Sequence, residues 1–505
     1  SRLLVDYRAQ RGIFCKSSRL TVDSTPSFPS SPMAYNRHMT DSPRNGELDL
    51  AIIGGGAAGV LVAIQVLRQA QAPLALAIFE PASQLAQGIA YATPWPEHLL
   101  NVPAAKMSAF ADQPGDFLDY LMAANAYPGE AREVLGERYV CRHHFAAYLQ
   151  QRLQEAAAAS PAQLQVIAQP VLGLQPDDHG YQLTLGDGST LHAAQAVLAT
   201  GNSMRPLPVA GAEALPADDV IEAWDYDGVR TLAGERAVAI VGSGLSMADT
   251  VLALVAAGHT GPLHVISRHG LLPLPHAHGG LPTFDPATLL PMNLRQRLRA
   301  LRGFARQAQA DGLPWQGVMD RIRPHGQALW CSLDAADQRR FLRHVVRYWD
   351  VHRHRIAEEA DAQLQALIES GQLRIHRSRL QRIGREGDAL RLSGRDATGN
   401  EQRWTIGGVI NATGVETRAS ALRNPLLQQL QADGLARPGP HGLGLDSTVP
   451  GDRLRAAGGQ PQARLGVLGS LRIGSLWESL AVPELRQQAQ ALATQVVAGA
   501  ATAMP

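Results

Sequence analysis

Twice in this chain a short apolar run breaks into glycines and then turns apolar again, as LAIIGGGAAGV at residues 50–60 and as AIVGSGLSMAD at residues 239–249. Glycine loses more conformational freedom on folding than any other residue, so a strand that ends on it implies a turn or a close approach that a side chain would block. LDLAIIGGG is predicted to be a buried strand, AAGVLVAIQVLRQA the helix behind it, and LALAIFE a second buried strand ending on Glu80. Gly54, Gly56 and Gly59 fill the GxGxxG positions, and Glu80 follows 26 residues after the first of them. Gly54 permits the tight turn, Gly56 lets the backbone approach a pyrophosphate, and Gly59 allows close helix packing. The helix N-terminus faces the phosphates, and Glu80 accepts ribose hydroxyls.

The second copy departs from the first. Gly242 and Gly244 match, but Met247 stands at the third glycine position, and the next strand ends on Ser267 and Arg268 rather than on an acid. Two such units imply two nucleotides. Arginine at the strand end suits an adenosine 2′-phosphate, against the plainer reading that Arg268 solvates a loop. Further on, each copy carries a polar-turned hairpin region and a short apolar strand ending Ala-Thr-Gly, at Gly201 and at Gly414. The expected fold is therefore α/β with two Rossmann-like dinucleotide-binding domains.

The uncharged stretch between Asp49 and Arg68 is not a membrane span, because three consecutive glycines interrupt it. A net charge of +1 gives no overall field to recruit nucleic acid or an anionic membrane. Cys15, Cys141 and Cys331 form no CxxC or zinc spacing, which argues against a dithiol centre and fits a reducing cytoplasm. Residues 1–46 are expected to be a disordered extension. Up to Thr40 they hold six Arg or Lys against two Asp and are rich in Ser and Pro, as a targeting peptide or an upstream extension would be.

Residues 283–365 read as a helical insertion with Phe341, Val345 and Tyr348 on one face and Arg340, Arg343 and Arg347 on another. A solvated basic face fits better than a DNA-recognition helix, since no helix-turn-helix pattern precedes it. The pairs His276/His278 and His352/His354 are i,i+2 and lack a third ligand, so no metal is assigned. LPLPHAHGG is expected to be a loop near the nicotinamide or the substrate entrance, or plain surface. Without a GxSxG elbow in context hydrolysis is disfavoured, and without a CxxC electrons have no protein dithiol to reach, which leaves oxygen, a quinone or a small molecule as acceptor.

The stretches GIAYATPWPEHLLNVPAAKMSAF, VGSGLSMAD, SRHGLLPLPHAHG, FLRHVVRYWDVHRHRIA and LGSLRIGSLWESLAVPELRQQA complete the pattern. Together they resemble the FAD/NAD(P)-binding family that contains the HpyO-type FAD-dependent urate hydroxylase and the aspartate N-hydroxylases. The resemblance spans about residues 48–495 and implies an NAD(P) domain inserted into a split FAD domain. Its bounds would be 47–215 for the first FAD part, 230–406 for the NAD(P) domain, and 407–497 for the second FAD part. It implies FAD on Gly54, Gly56, Gly59 and Glu80, with Asn101, Lys106 and Met107 along the isoalloxazine and Arg142 beside it. Gly242, Gly244 and Arg268 would take NADH or NADPH, Gly414 would return the chain to the FAD domain, and the stretch around Trp477 would set a helix N-terminus near the flavin pyrimidine.

The activity it implies is a monooxygenase acting with O2 on a small molecule. Urate hydroxylation to 5-hydroxyisourate in purine catabolism comes first; L-aspartate N-hydroxylation, or NAD(P)H oxidation without an organic acceptor, is the alternative. Arg321, Arg323 and Arg472 are candidates to hold the substrate's negative charge.

Overall fold

The computed structural model describes residues 47–82, 84–478 and 480–503. The extension expected at 1–46 lies outside the described residues.

Strand Glu47–Ile53 is buried on both faces in its C-terminal half, as its unbroken apolar run requires of a central parallel strand. It pairs in parallel with Ala75–Phe79 on one side and Thr190–Leu198 on the other. Gln163–Ile167 extends this sheet beyond Ala75–Phe79, and Pro461–Val467 adds to the far side of Thr190–Leu198. A strand from residue 461 onward thus completes a sheet begun at residue 47, which is the split that the family resemblance implied. Helix Val482–Ala503 supplies the matching layer. Its buried stripe Leu485, Ala489, Leu492, Ala493 and Val496 recurs at helical spacing and joins one core with Val60, Leu61, Ile64 and Leu67 of helix Ala57–Gln69.

The second sheet runs Glu401–Ile406, Ala389–Asp396, Leu373–Glu386, Leu263–Ser267, Val238–Val241, Gly408–Asn411 and Val220–Glu222. It takes in strands on both sides of 230–406, because Gly408–Asn411 is the buried partner of Val238–Val241 and Val220–Glu222 covers its edge. Helix Glu358–Glu369, which straddles the end expected for the insertion, is the crossover helix of this sheet: Ala360 and Leu364 are buried with Leu263 and Leu373. The rest of the insertion has a core of its own, including Leu298, Leu301, Trp315, Trp330 and Phe341. Its helix at Phe341–Val345 is a π turn, which rotates the side chains that follow relative to an α-helical register.

The two links between the units, Ser203–Met204 and Val415–Glu416, pair antiparallel as a ribbon of their own. Among the described residues no helix is long and apolar enough to cross a membrane.

Candidate active site and dinucleotide clefts

The two glycine loops obey one rule. At Gly54, φ is +110° and an added Cβ would stand 2.3 Å from the Ala199 carbonyl oxygen; at Gly242, φ is +116° and the Cβ would stand 2.1 Å from that of Ala412. Each first glycine is therefore demanded by the Ala-Thr-Gly turn of its own unit. The second glycines differ in kind. A Cβ on Gly56 would meet nothing closer than Gly88 Cα at 3.7 Å, and one on Gly244 nothing within 4 Å. Nothing in the chain requires glycine there, and the space above each is what a pyrophosphate needs. Thr200 Oγ1 and Asn202 Oδ1, just past the first Ala-Thr-Gly turn, are buried without a hydrogen-bond partner, so the first cradle also has unused polar atoms for a ligand. These residues fit FAD.

Gly59 packs as the pattern demands, because a Cβ would fall 1.9 Å from the Gly54 carbonyl oxygen. Met247, its counterpart, is fully buried in the core of the second unit and leaves the loop free. Glu80 is held at its strand end by the N–H groups of Gly55 (2.8 Å) and Ala82 (3.0 Å). Gly54 donates to Phe79 O and Gly242 to Ile266 O, so the geometric counterpart of Glu80 is Ser267, with Arg268 one residue beyond. The Ser267 hydroxyl is tied to Ser243 at 2.9 Å, while Arg268 is exposed on the cleft wall.

That cleft holds about 640 Å³ and runs from Gly242–Ser246 past Thr413–Gly414, with Arg205, Arg268, Arg347, Arg379 and Arg418 on its walls. Four of these arginines were missed in the sequence as cleft residues. Arg205 and Arg418 each follow an Ala-Thr-Gly by four residues, as ATGNSMR and ATGVETR, a second repeat that was legible. The ribbon of the two links brings both toward the buried Glu416, whose carboxylate accepts from Arg418 Nε at 2.9 Å and lies 3.8 Å from Arg205 Nε. The Arg418 hydrogen bond holds the Glu416 carboxyl down at about 2. Arg340, Arg343 and Arg347 are exposed, as the solvated-face reading has it, and Arg347 in addition borders the cleft beside Asp350.

Where the two units meet the insertion, the 99–110 stretch is the floor. Asn101 and Lys106 are exposed on it, but Met107 is 2 % exposed within the core, so its side chain is a packing group. The Asn101 carbonyl lies 3.2 Å from His276 Nε2, which places the LPLPHAHGG loop at this seam. The first turn of helix Val482–Ala503 arrives from the other side, where Arg486 donates to the Ser108 carbonyl at 3.0 Å.

Three other expectations need correction. Arg142 is committed elsewhere, with Nε on the Leu99 carbonyl (2.8 Å) and its two Nη atoms on Asp249 (2.9 and 3.0 Å), which clamps the first unit to helix Leu245–Ala256 of the second. Trp477 packs into the insertion, stacked on Trp330 at 4.9 Å and edge-on to Phe341 at 5.2 Å, with a strained φ of +64°. Arg472 is 1 % exposed and spends its donors on Asp452, Ser447, Thr448 and Gln488, so it is a core ion pair with nothing left for a substrate.

Of the other candidate arginines, Arg321 is exposed and donates to the Phe284 carbonyl at 3.3 Å. Arg323 does reach the seam: it lies 3.5 Å from Glu484 in the first turn of helix Val482–Ala503, and its Nη2 is buried without a partner.

With this geometry in place, comparisons narrow the class. The FAD-NAD(P)-binding family profile matches residues 51–203. A search of curated proteins finds no match to the chain. Among solved structures the chain is similar to the reduced form of ornithine hydroxylase from Pseudomonas aeruginosa, at 18 % identity and a TM-score of 0.62, over 89 % of this chain and 99 % of that one. L-Lysine 6-monooxygenase from Pseudomonas syringae gives 18 % and 0.61 over 89 % and 99 %. The FAD-bound cadaverine monooxygenase from Erwinia amylovora gives 14 % and 0.58 over 90 % and 94 %. The fold is that of the flavin monooxygenases with two Rossmann-like sheets.

Proposed function

We propose that this chain is an FAD- and NAD(P)H-dependent monooxygenase that places an oxygen atom on an amine nitrogen. The observation that carries this reading is the pair of open cradles, at Gly56 and at Gly244, in units that meet at one seam. FAD, when bound, supplies hydride acceptance and oxygen activation. Gly56, Glu80, Thr200 and Asn202 would hold it; Gly244, Arg268 and the other cleft arginines would hold the nucleotide reductant, and their charge favours NADPH.

The described cysteines, Cys141 and Cys331, stand apart, and burial pushes both thiols up, so neither is a thiolate poised for disulfide exchange. The similar structures are named for ornithine, lysine and cadaverine, all amines. Urate draws no support from them, and an amine takes its place in this reading. Such a substrate must attack as the neutral amine, and the positive charges of Lys106, Arg323 and Arg355 around the seam disfavour its ammonium form.

The test is oxygen uptake by the FAD-loaded protein with NADPH, in the presence of L-ornithine, L-lysine, L-aspartate, cadaverine or urate. The expected result is that an amine speeds NADPH and O2 consumption together and yields an N–O product. Stimulation by urate alone, or H2O2 that matches the NADPH consumed with every compound, would refute the reading.

A further inference from the structure

Among the described residues, fifteen buried side-chain nitrogen and oxygen atoms have no hydrogen-bond partner, and Arg355 is the one side chain that contributes two of them, Nε and Nη1. It is 4 % exposed. Its third nitrogen, Nη2, donates to Asp320, whose own side chain is 40 % exposed. The carboxylate of this pair is therefore well hydrated, while the guanidinium is dry and two of its three nitrogens go unused. Buried polar groups are rarely left so, and an ionised one costs the most.

The position of Arg355 is fixed by backbone pairing rather than by its own side chain. The Ile356 N–H donates to the Leu274 carbonyl at 3.0 Å, and the His276 N–H to the Ile356 carbonyl at 2.9 Å. This pins residue 355 beside the loop whose His276 ring stacks on Tyr139 at 4.8 Å and whose Nε2 donates to the Asn101 carbonyl. Burial, and then the Arg355 charge, push the His276 imidazole down to about 4. It is neutral at physiological pH and adds no charge there. The cation, paired only through Nη2 with the hydrated Asp320, thus stands beside the His276 loop that reaches the seam floored by Asn101 and Lys106.

We propose, resting on the reading of this chain as an amine oxygenase, that Arg355 holds a carboxylate of the substrate. The substrate is then an amine that carries an acid group, and a plain diamine is a poor one. An oxyanion against Nε or Nη1 satisfies the stranded donors with charge-assisted hydrogen bonds and sets the distance from the acid group to the amine. Asp320 limits the strength of that grip, because it already neutralises part of the charge.

Isothermal titration of the FAD-loaded protein with succinate tests the assignment. Wild type is expected to bind it, Arg355→Met to weaken it at least tenfold, and Arg355→Lys to fall between. Asp320→Asn is expected to tighten binding severalfold, since the guanidinium loses its ion-pair partner. A purely structural ion pair predicts no gain from Asp320→Asn, so that variant and Arg355→Lys keep the test sharp even if Arg355→Met fails to fold.

Equal succinate affinity in wild type and Arg355→Lys, no binding at all, or weakening by Asp320→Asn would overturn the proposal. So would inorganic phosphate binding as well as succinate. Oxygen-uptake assays separate this idea from the one it rests on. If cadaverine is oxygenated as well as L-lysine, the carboxylate assignment fails and the amine reading stands. If no amine gives an N–O product while succinate binding still depends on Arg355, the amine reading fails and the anion site stands.

Discussion

Replacing Gly56 by Ala separates ligand binding from folding. Its φ of −66° and ψ of −176° are open to any residue, and the new Cβ would have no neighbour closer than 3.7 Å. Gly→Ala at a compatible position stabilises by about 0.4–1 kcal/mol, because the unfolded chain has fewer states to lose. The flavin-free variant should therefore be as stable as wild type or slightly more so. FAD affinity should fall at least about tenfold, or about 1.4 kcal/mol, since the methyl takes the space of a phosphate oxygen.

Gly59→Ala is the contrast. Its Cβ would sit 1.9 Å from a backbone oxygen, so the helix must shift, and overpacking of this kind costs about 1–3 kcal/mol. Gly244→Ala, at φ −91° and ψ −159° with nothing within 4 Å, should keep FAD and lose reduction by NAD(P)H. The assays are urea unfolding of the flavin-free protein, flavin content after purification, and the anaerobic rate of flavin reduction. A stable Gly56→Ala protein with full flavin occupancy would refute the assignment of the first cradle.

Arg268→Ala should raise the KM for NADPH about tenfold, the loss of one charge-assisted contact of roughly 1.5 kcal/mol, and move that for NADH less than about twofold. Equal NADPH/NADH discrimination before and after would mean that Arg268 does not read the 2′-phosphate. Asp350 gives a pH signature. Burial pushes its carboxyl up to about 6, against the pull of Arg347 and with Glu478 adding to the rise. A carboxyl raised on folding makes stability fall as pH climbs from about 4 to about 6. With its side chain 32 % exposed, the effect discounts to about 1–2 kcal/mol. Asp350→Asn should flatten the change in urea midpoint between pH 4.5 and 7, and an unchanged slope would refute the shift.

Local pattern reaches some parts of this site and not others. Gly59 was readable because it answers the Gly54 carbonyl of its own strand–turn–helix unit, and Gly54 and Gly242 because the tight turn after the strand shows as glycine, although the Ala199 and Ala412 carbonyls that demand it lie far along the chain. Glu80 was readable because it closes the next strand of the same unit. Arg379 was hidden, since its place in the cleft depends on strand Leu373–Glu386 lying beside Leu263–Ser267, with Ser267 opposite Arg377. Arg347 was hidden by a π turn that no α-helical periodicity encodes. Arg142 and Arg472 misled for one reason: a charge in a suggestive stretch says nothing about which acid meets it, and Asp249 and Asp452 lie far along the chain or across a turn.

The sequence by itself determined the two strand–glycine turn–helix units, because strand period, turn chemistry and helix start are local properties, while the division of the first unit around the second was implied by a family resemblance and not by any local pattern. Only the tertiary structure decided which arginines are spent in ion pairs and which remain available. Pairing requires two residues to meet in space and lose their water together, and Arg472 with Asp452 does so completely. Arg355, held beside the His276 loop and given only a hydrated partner in Asp320, keeps two donors unused.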